Sequence, residues 1–438
     1  MEKPSLTGRR KVDARPSRRA PPKLPSRGWS LGMVSGNLRG ARLGRKQGGP
    51  IVRVTAASIL AATLSFSIVE AEELRIGFMA TFTGPGANLG QHLRDGFFLG
   101  YEHVGGKIGG LETRVIVSDD QLKPDIARQE VEKLLTRDKV HFIVGVVFSN
   151  VLMAIYKPAI ESGTFLISAN AGPSPIAGQL CSELFFATSW QNDQTHAVVG
   201  KYAQDNGYGR VLLLAPNYQA GKDALRGFKR YYRGTIVDEI YTPLGSVDFS
   251  AEIAKIQALK PEAVYAFMPG GSGIALIKQY AQAGLNKQIP FLSAFTVDDT
   301  SLPAVGEVAD GMISASQWAV DLPNPANERF VSAFRARFGY VPSYFAAQAY
   351  DAALFLDAGI KGAGGHLYDK KALRDALRKA AFPSVRGSWK LNTNHFPISD
   401  FYLVTPGRLA DGTRAMVHKE LIFPNCADEN AKDCPMRW

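Results

Sequence analysis

The stretch TFTGPGANLGQHLRDGFFLG (residues 81–100) places three glycines between an apolar run and the start of a helical pattern. A strand, a glycine-rich loop and a helix start leave backbone N–H groups free to bind an anion. The spacing of Gly84, Gly86 and Gly90 is G-x-G-x-x-x-G, which differs from the dinucleotide fingerprint, and no lysine follows as in a P-loop. These residues therefore predict an anion site that does not hold a nucleotide phosphate.

Residues with catalytic or metal-binding potential do not occur in a productive pattern. GGSGI at 270–274 lacks the last glycine of a nucleophile elbow, and the seven histidines show no metal-binding spacing. The carboxylate pairs 119–120 and 298–299 are more typical of helix caps or hinges than of a catalytic dyad. His92 and His196 lie near candidate loops, where a lone histidine is more often a second-layer residue. The sequence predicts no catalytic residue, no metal and no cofactor.

The loops that follow the predicted strands are suited to binding. They are TFTGPGANLG, VFSNVL, ANAGPSP, PNYQAG, MPGGSG and AFTVDDT, and none contains Lys or Arg. Ser and Thr hydroxyls together with N–H groups at helix starts can hold a small carboxylate, at about 1.5–3 kcal/mol per charge-assisted bond. We expect Tyr218 and Phe295, with Phe148 across the cleft, to enclose the rest of the ligand.

These loops require parallel strands, and the chain supplies the pattern. Mostly continuous apolar runs alternate with helical patterns from residue 72 onward, which is typical of strands buried on both faces. The predicted strands are 74–80, 113–119, 141–147, 164–170, 185–189, 210–216, 235–242, 263–269 and 290–295. A break near 190 predicts two sheets. After residue 321, three helices and an antiparallel hairpin within 388–405 suggest a return to each lobe in turn.

The net charge of +11 belongs entirely to the N-terminal segment. Residues 1–71 carry 14 Lys or Arg against three acidic residues, whereas the remainder carries 37 of each sign. A nucleic-acid binder needs its positive field on the folded body, so this class is excluded. The apolar run VTAASILAATLSFSIV and the small residues before Glu72 predict a signal peptide cleaved after Ala71, with an anchor helix as the alternative. Met33 is a candidate start. The mature chain is expected to be periplasmic, without stable membrane insertion.

The chain has three cysteines, Cys181, Cys426 and Cys434. An oxidising compartment permits one disulfide and one free thiol, and the sequence leaves the pairing open.

Several segments resemble type I periplasmic substrate-binding proteins, in particular the branched-chain amino-acid (Leu/Ile/Val) binding class that serves ABC importers. They include TFTGPGANLGQHLRDGFFLGYEHVGGKIGG, VGVVFSNVLMAIYKPAIESGTFLISANAGPSP and NPANERFVSAFRARFGYVPSYFAAQAYDAALFL, and the likeness covers about 74–400. The resemblance implies an α/β fold with two doubly wound parallel-sheet lobes joined by a three-strand hinge. We expect residues 1–71 to be an extension and signal peptide, 72–190 plus 322–390 to form lobe 1, and 191–321 plus 391–438 to form lobe 2.

The resemblance also implies ligand-binding positions in the cleft between the lobes. These are Gly86, Ala87, Phe148, Ser149, Asn150, Asn170, Ala171, Gly172, Tyr218, Met268, Gly270 and Phe295. Amino-acid binders of this class place an acidic residue just after the strand predicted at 290–295 to hold the ligand ammonium. Here the sequence reads Ala294, Phe295, Thr296, and the nearest acids are Asp298 and Asp299. The segments ANAGPSPIAG, CSELFFATSWQNDQ and ISASQWAVDLPNPAN also resemble the branch that binds aromatic acids.

The sequence therefore predicts a non-enzymatic solute-binding component of an ABC importer that delivers a small carboxylate to a permease and its ATPase. An aromatic acid is favoured over a branched-chain amino acid as the ligand. A ligand sensor that docks on a chemoreceptor or sensor kinase is the alternative, and an exported α/β enzyme is a further rival that lacks a catalytic set.

Overall fold

The computed structural model describes residues 73–437, so the predicted N-terminal extension and signal peptide lie outside the described residues. Twelve strands are present in this part of the chain, and five of them form the first sheet. These five are β1 (Leu74–Ala80), β2 (Thr113–Asp119), β3 (Phe142–Gly145), β4 (Phe165–Ser168) and β5 (Phe185–Ala187). Their order is β2-β1-β3-β4-β5 and every pairing is parallel.

The second sheet contains seven strands in the order β12-β11-β10-β9-β8-β6-β7. The strands are β6 (Arg210–Pro216), β7 (Thr235–Thr242), β8 (Ala263–Ala266), β9 (Phe291–Ala294), β10 (Ile313–Ser316), β11 (Ser399–Arg408) and β12 (Arg414–Cys426). β6 to β10 pair in parallel, whereas β10–β11 and β11–β12 pair antiparallel. Helical crossover connections thus join the parallel strands of this sheet, and the β11–β12 hairpin forms one of its edges.

Within residues 73–437, twelve α-helices connect or cover the strands. They are α1 (Ala87–His103), α2 (Pro124–Thr136), α3 (Ser149–Glu161), α4 (Ser174–Ala177), α5 (Asn192–Asp205), α6 (Gln219–Tyr231), α7 (Ser250–Leu259), α8 (Gly271–Gln282), α9 (Leu302–Val305), α10 (Pro325–Phe338), α11 (Tyr344–Gly362) and α12 (Lys370–Arg378). Local chemistry sets several of the ends. The Asn324 side chain accepts from the Asn327 N–H at the start of α10, and Gly339 ends that helix in the left-handed conformation.

The central parallel strands are buried on both faces, whereas the edge strands β2 and β7 are only partly buried. β3, β4, β8 and β9 have every residue buried, which explains their continuous apolar sequences. α11 packs along α1 and returns the chain to the first sheet after β10 has joined the second. The predicted α/β class with two parallel-sheet bodies is confirmed.

Two features of the second sheet differ from the sequence prediction. The prediction omitted β10, whose sequence ISAS contains two buried serines in place of apolar residues. The hairpin forms from β11 and β12 and shares only residues 399–405 with the predicted 388–405 segment. The prediction missed β12 because it is a polar edge strand without a clear alternating pattern.

Cys181 and Cys434 form a disulfide that links the segment before β5 to the C-terminal tail, and Cys426 is a free thiol. Within residues 73–437, no helix combines the length and the apolar character needed to cross a membrane.

Candidate functional site

A cavity lies where the C-terminal ends of strands from both sheets meet. Segments after β3, β4, β5, β6, β8 and β9 contribute to its wall, as expected for a ligand site in an open α/β sheet. Six of the fifteen lining residues are Phe, Tyr or Trp: Phe148, Trp190, Tyr218, Phe267, Phe295 and Phe345. The free volume is about 20 Å³, room for about one water molecule. A larger ligand therefore enters only if the two walls separate or side chains move.

The polar residues of the cavity are uncharged. Ser149, Asn170, Asn192 and His196 line it, and no Lys, Arg, Asp or Glu does so in the part of the chain that the structure describes. Burial lowers the pKa of His196 to about 3, so its imidazole is neutral at physiological pH. The Nδ1 atom of His196 is hydrogen-bonded to the Tyr265 hydroxyl. The polar groups that line the cavity consequently carry no fixed charge.

Two long helices begin at this cavity. Ser149 is the first residue of α3, and Tyr218 directly precedes α6, with Ala220 in its first turn. Ser149 and Tyr218 both line the cavity, so the positive ends of two 13-residue helix dipoles point toward it. Asn192 Nδ2 donates to Ser149 Oγ at 3.2 Å, which leaves the serine hydrogen free to donate into the cavity. This arrangement can bind a carboxylate without a cation.

The amides around the cavity hold its walls in position. Asn170 Nδ2 donates to the Val147 carbonyl at 2.6 Å, and its Oδ1 accepts from Gln348 Nε2 at 2.6 Å. Asn192 Oδ1 accepts from the Gly172 N–H at 3.1 Å. Since these groups are occupied by protein partners, Asn170 and Asn192 position the loops and offer little further hydrogen-bonding capacity to a ligand.

The buried carboxylate of Asp223, on the helix that follows β6 of the second sheet, is hydrogen-bonded to the segments that follow β4 and β5 of the first sheet. Asp223 on α6 accepts from the Ser174 N–H at 3.1 Å, from Ser174 Oγ at 2.8 Å and from Asn192 Nδ2 at 3.0 Å. Arg226 lies 3.0 Å from the same carboxylate. Because Asp223 makes these bonds behind the cavity wall, its charge is matched by protein donors.

Of the residues predicted to bind ligand, six lie together in the cavity lining: Phe148, Ser149, Asn170, Ala171, Tyr218 and Phe295. The others lie around it. Gly172 packs against the backbone of Trp190, and Gly86 is so close to the Phe148 ring that a Cβ would press into that ring. Asn150 and Ala87 are partly exposed at the starts of α3 and α1.

In the segment after β8, the predicted residues Met268 and Gly270 do not line the cavity, but residues next to them in the sequence do. Phe267 and Pro269 line the cavity, whereas the N–H of Met268 donates to Thr296 Oγ1 at 2.8 Å. Gly270 lies at the rim with φ of 71°, and a Cβ there would be 2.7 Å from the Pro85 carbonyl oxygen. The glycine therefore allows this turn to contact the 84–87 turn from the other sheet.

Sequence reasoning did not select Trp190, Asn192 or Phe267, and it assigned His196 to a second layer. A usable signal was present, because Trp190 and Asn192 follow β5 just as Ser149 follows β3. For Phe267, the choice between it and Met268 depended on which face of the extended segment points inward.

The acidic residues after β9 do not reach the cavity. The Asp298 carboxylate accepts from the Thr300 N–H at 2.8 Å and from the Tyr344 hydroxyl at 2.9 Å. The Asp299 carboxylate accepts from the Met416 N–H at 2.8 Å. Burial raises the pKa of both groups. Phe295 instead occupies the lining, so no carboxylate is positioned to hold an ammonium group among the described residues of this cavity.

No group of three or more His, Cys, Asp or Glu residues within 73–437 has the arrangement of a metal site.

Comparisons with known proteins agree with this geometry. Residues 73–412 match the sequence model of the family described as periplasmic binding protein. The Leu/Ile/Val-binding protein homolog 6 of Brucella melitensis is 26% identical over 373 residues, covering 82% of this chain and 94% of that protein. The leucine-, isoleucine-, valine-, threonine- and alanine-binding protein of Pseudomonas aeruginosa is 25% identical and covers 77% of this chain and 90% of its own.

Two solved structures add a second group of relatives. An ABC transporter solute-binding protein of R. palustris, in complex with benzoate, is 33% identical with a TM-score of 0.78, covering 83% of this chain and 100% of its own. Another from Rhodopseudomonas palustris, in complex with 3,4-dihydroxybenzoic acid, is 27% identical with a TM-score of 0.77, covering 82% and 99%. The predicted resemblance, including its aromatic-acid branch, is confirmed.

Proposed function

The chain belongs to the periplasmic binding protein family, and from that premise we propose that it is the solute-binding component of an ABC importer that captures an aromatic carboxylic acid. The observation that carries this proposal is the uncharged, aromatic cavity at the starts of α3 and α6. Helix starts and hydroxyls suit a carboxylate, and the aromatic wall suits a ring. The absence of a carboxylate from the described lining disfavours an amino-acid ammonium group.

The relatives support the same ligand class. Two solute-binding proteins of the same fold were solved with benzoate and with 3,4-dihydroxybenzoic acid. A branched-chain amino acid is the second candidate ligand, because the curated relatives are Leu/Ile/Val-binding proteins. Since the family binds solutes, we propose that the chain has no catalytic activity of its own.

Capture requires the two bodies of the protein to close on the ligand. We propose that residues 72–190 plus 322–390 form one lobe and residues 191–321 plus 391–438 the other. The proposal is supported by the division of strands between the sheets and by the packing of α11 on α1. Closure shifts the population toward a state in which ligand contacts both lobes at once.

A direct test is a thermal-shift and calorimetric screen with benzoate, 4-hydroxybenzoate, leucine and isoleucine. We expect the aromatic acids to raise the melting temperature, because a ligand at one hundred times its Kd stabilises the folded state by about 2.7 kcal/mol. We expect leucine to have no effect. Stabilisation by leucine alone would reverse the ligand assignment, and silence of every small carboxylate would overturn the proposal.

The site itself is tested by Tyr218→Ala, which we expect to weaken binding of the aromatic acid by about 1–3 kcal/mol because an aromatic anchor is lost. Tyr368→Ala is the matched control, since Tyr368 is 71% exposed and lies outside the cavity lining. Calorimetric Kd values for the two variants provide the measurement. Equal Kd values in both variants would remove Tyr218 from the site.

Export and partners complete the proposal. We propose that a signal peptide ending at Ala71 directs the chain to the periplasm, where it serves an ABC permease and its ATPase. Intact mass of the exported protein tests the cleavage position. Loss of uptake of the acid upon deletion of the gene would distinguish transport from a purely sensory role.

A further inference from the structure

The indole N–H of Trp190 is a buried donor without an acceptor. Trp190 is 4% exposed and lines the cavity, and its Nε1 atom has no hydrogen-bond partner among the described residues. Trp318, which is 2% exposed, shows the usual situation, because its Nε1 donates to Asn327 Oδ1 at 2.7 Å. Buried donors are almost always paired, so an unpaired one at a ligand cavity indicates a missing acceptor.

The structure holds this donor in a fixed position. The Trp190 ring stacks on Phe295 with 4.7 Å between centroids and an interplanar angle of 29°, and Tyr344 contacts it edge-on at 6.0 Å. The preceding backbone is also held, since Arg386 donates to the Ser189 carbonyl at 2.7 Å. Because the ring is held by these contacts, the N–H cannot turn to find another partner without breaking them.

Four successive ring contacts along the aromatic wall separate Trp190 from Phe148, which lies at the start of α3. Phe148 contacts Tyr218 at 6.4 Å, Tyr218 contacts Phe267 at 6.2 Å, and Phe267 contacts Phe295 at 6.2 Å, with Trp190 next in the series. A carboxylate held beside Phe148 at the start of α3 would direct the opposite side of its ring along this wall toward the indole.

We propose that the Trp190 N–H donates to an oxygen substituent on the ring of the bound acid, on the side opposite the carboxylate. The inference rests on the proposed function and narrows its ligand class to ring-oxygenated benzoates. An indole N–H can only donate, so a hydroxyl or ether oxygen satisfies it and a methyl group does not. A methyl-substituted ring leaves the donor buried and unpaired in the complex.

The test compares 4-hydroxybenzoate with 4-methylbenzoate, two ligands of similar shape, by calorimetry. In the unaltered protein we expect the hydroxylated acid to bind more tightly. In Trp190→Phe we expect the ratio of the two affinities to fall on the order of tenfold, since the donor is removed and most of the ring remains. Trp318→Phe is the matched control, and its affinity ratio should equal that of the unaltered protein.

The outcomes separate the two proposals. If both acids bind and Trp190→Phe keeps the original ratio, the inference is wrong while the proposed function stands. If no aromatic acid binds the unaltered protein, both fail. Unfolding of the ligand-free variants gives a second readout. Trp318→Phe breaks a hydrogen bond and should lower the melting temperature more than Trp190→Phe does. An equal loss would mean that the Trp190 N–H has a protein partner in solution and would overturn the inference.

Discussion

Phe295 combines two properties that seldom occur together in one residue. Its φ is 61°, in the left-handed region that a bulky residue seldom adopts, and its ring lines the cavity between Trp190 and Phe267. Backbone strain of this kind is retained where surrounding structure fixes it, and it is frequent at ligand sites. The residue with the strained backbone is therefore one whose ring lines the cavity.

This strain predicts an unusual order of stability among Phe295 variants. Phe295→Gly should unfold with a free energy about 1 kcal/mol higher than that of Phe295→Ala, because glycine tolerates positive φ. At Phe291, a buried residue within strand β9, alanine should be at least as stable as glycine. Urea denaturation of the four variants measures both differences. An alanine variant more stable than glycine at position 295 would show that φ is negative there.

At the scale of elements, α1 and α11 approach each other through small residues. A Cβ at Gly96 would overlap the Ala346 carbonyl oxygen, and one at Gly100 would lie 2.8 Å from the Ala353 Cβ. The interface therefore depends on glycine for its short separation. Since α11 carries Tyr344 and Phe345 to the cavity region, the spacing of this helix pair also positions part of the site.

Gly96→Ala should lower the free energy of unfolding by about 2 kcal/mol or more, because the helices must separate to admit the methyl group. Gly362→Ala is the control on α11. Gly362 is exposed, and its nearest neighbour for a new Cβ is the Ala376 Cβ at 3.3 Å. Its stability should change by less than about 1 kcal/mol. Denaturant titration of both variants tests the difference, and an unaffected Gly96→Ala would contradict the close approach.

The elements most accessible to sequence reasoning were those with a clear periodic pattern. β1, β2, β6 and β7 have the predicted bounds. Three of them stop at a turn-forming residue, since β2 ends at Asp119, β6 ends at Pro216 and Pro243 follows β7. β10 was missed since its buried serines carry no hydrophobic signal. Within the site, Phe148 and Tyr218 were predictable from their places at helix starts, and the same argument applies to Trp190, which lies between β5 and the start of α5. Phe267 was not predictable in this way, because only tertiary packing decides which face of the extended segment after β8 points inward.

At the scale of the whole molecule, buried neutral histidines connect stability to pH. Burial lowers the pKa of His92, His196 and His395 to about 3. In the unfolded chain these histidines take up protons below about pH 6.5, whereas in the folded protein they stay neutral. The free energy of unfolding is therefore unaffected by them above about pH 6.5 and decreases as the pH falls from there toward 3. Buried carboxyls act in the opposite direction, since burial raises the pKa of Asp351 and thereby favours the folded state at low pH.

Because the histidine and carboxyl effects overlap, the prediction compares the pH dependence of the unfolding free energy in the unaltered protein and in a histidine variant. His92→Gln should reduce the slope of the unfolding free energy against pH by about 1.4 kcal/mol per pH unit between pH 4 and 6, since one fewer proton is taken up on unfolding. Glutamine can keep a hydrogen bond to Ser343, whose Oγ lies 2.9 Å from His92 Nδ1. Guanidinium titrations across this pH range give the slope. Parallel slopes in the two proteins would mean that His92 is charged when folded.

The bond between Cys181 and Cys434 has a further consequence for the integrity of the molecule. The two residues are separated by 253 positions, a stretch that includes the whole second sheet. If a protease cuts one loop within this stretch, the two fragments stay covalently linked through the disulfide. Such a nicked protein would migrate as an intact chain on a non-reducing gel and separate into its pieces only when a thiol reagent is added.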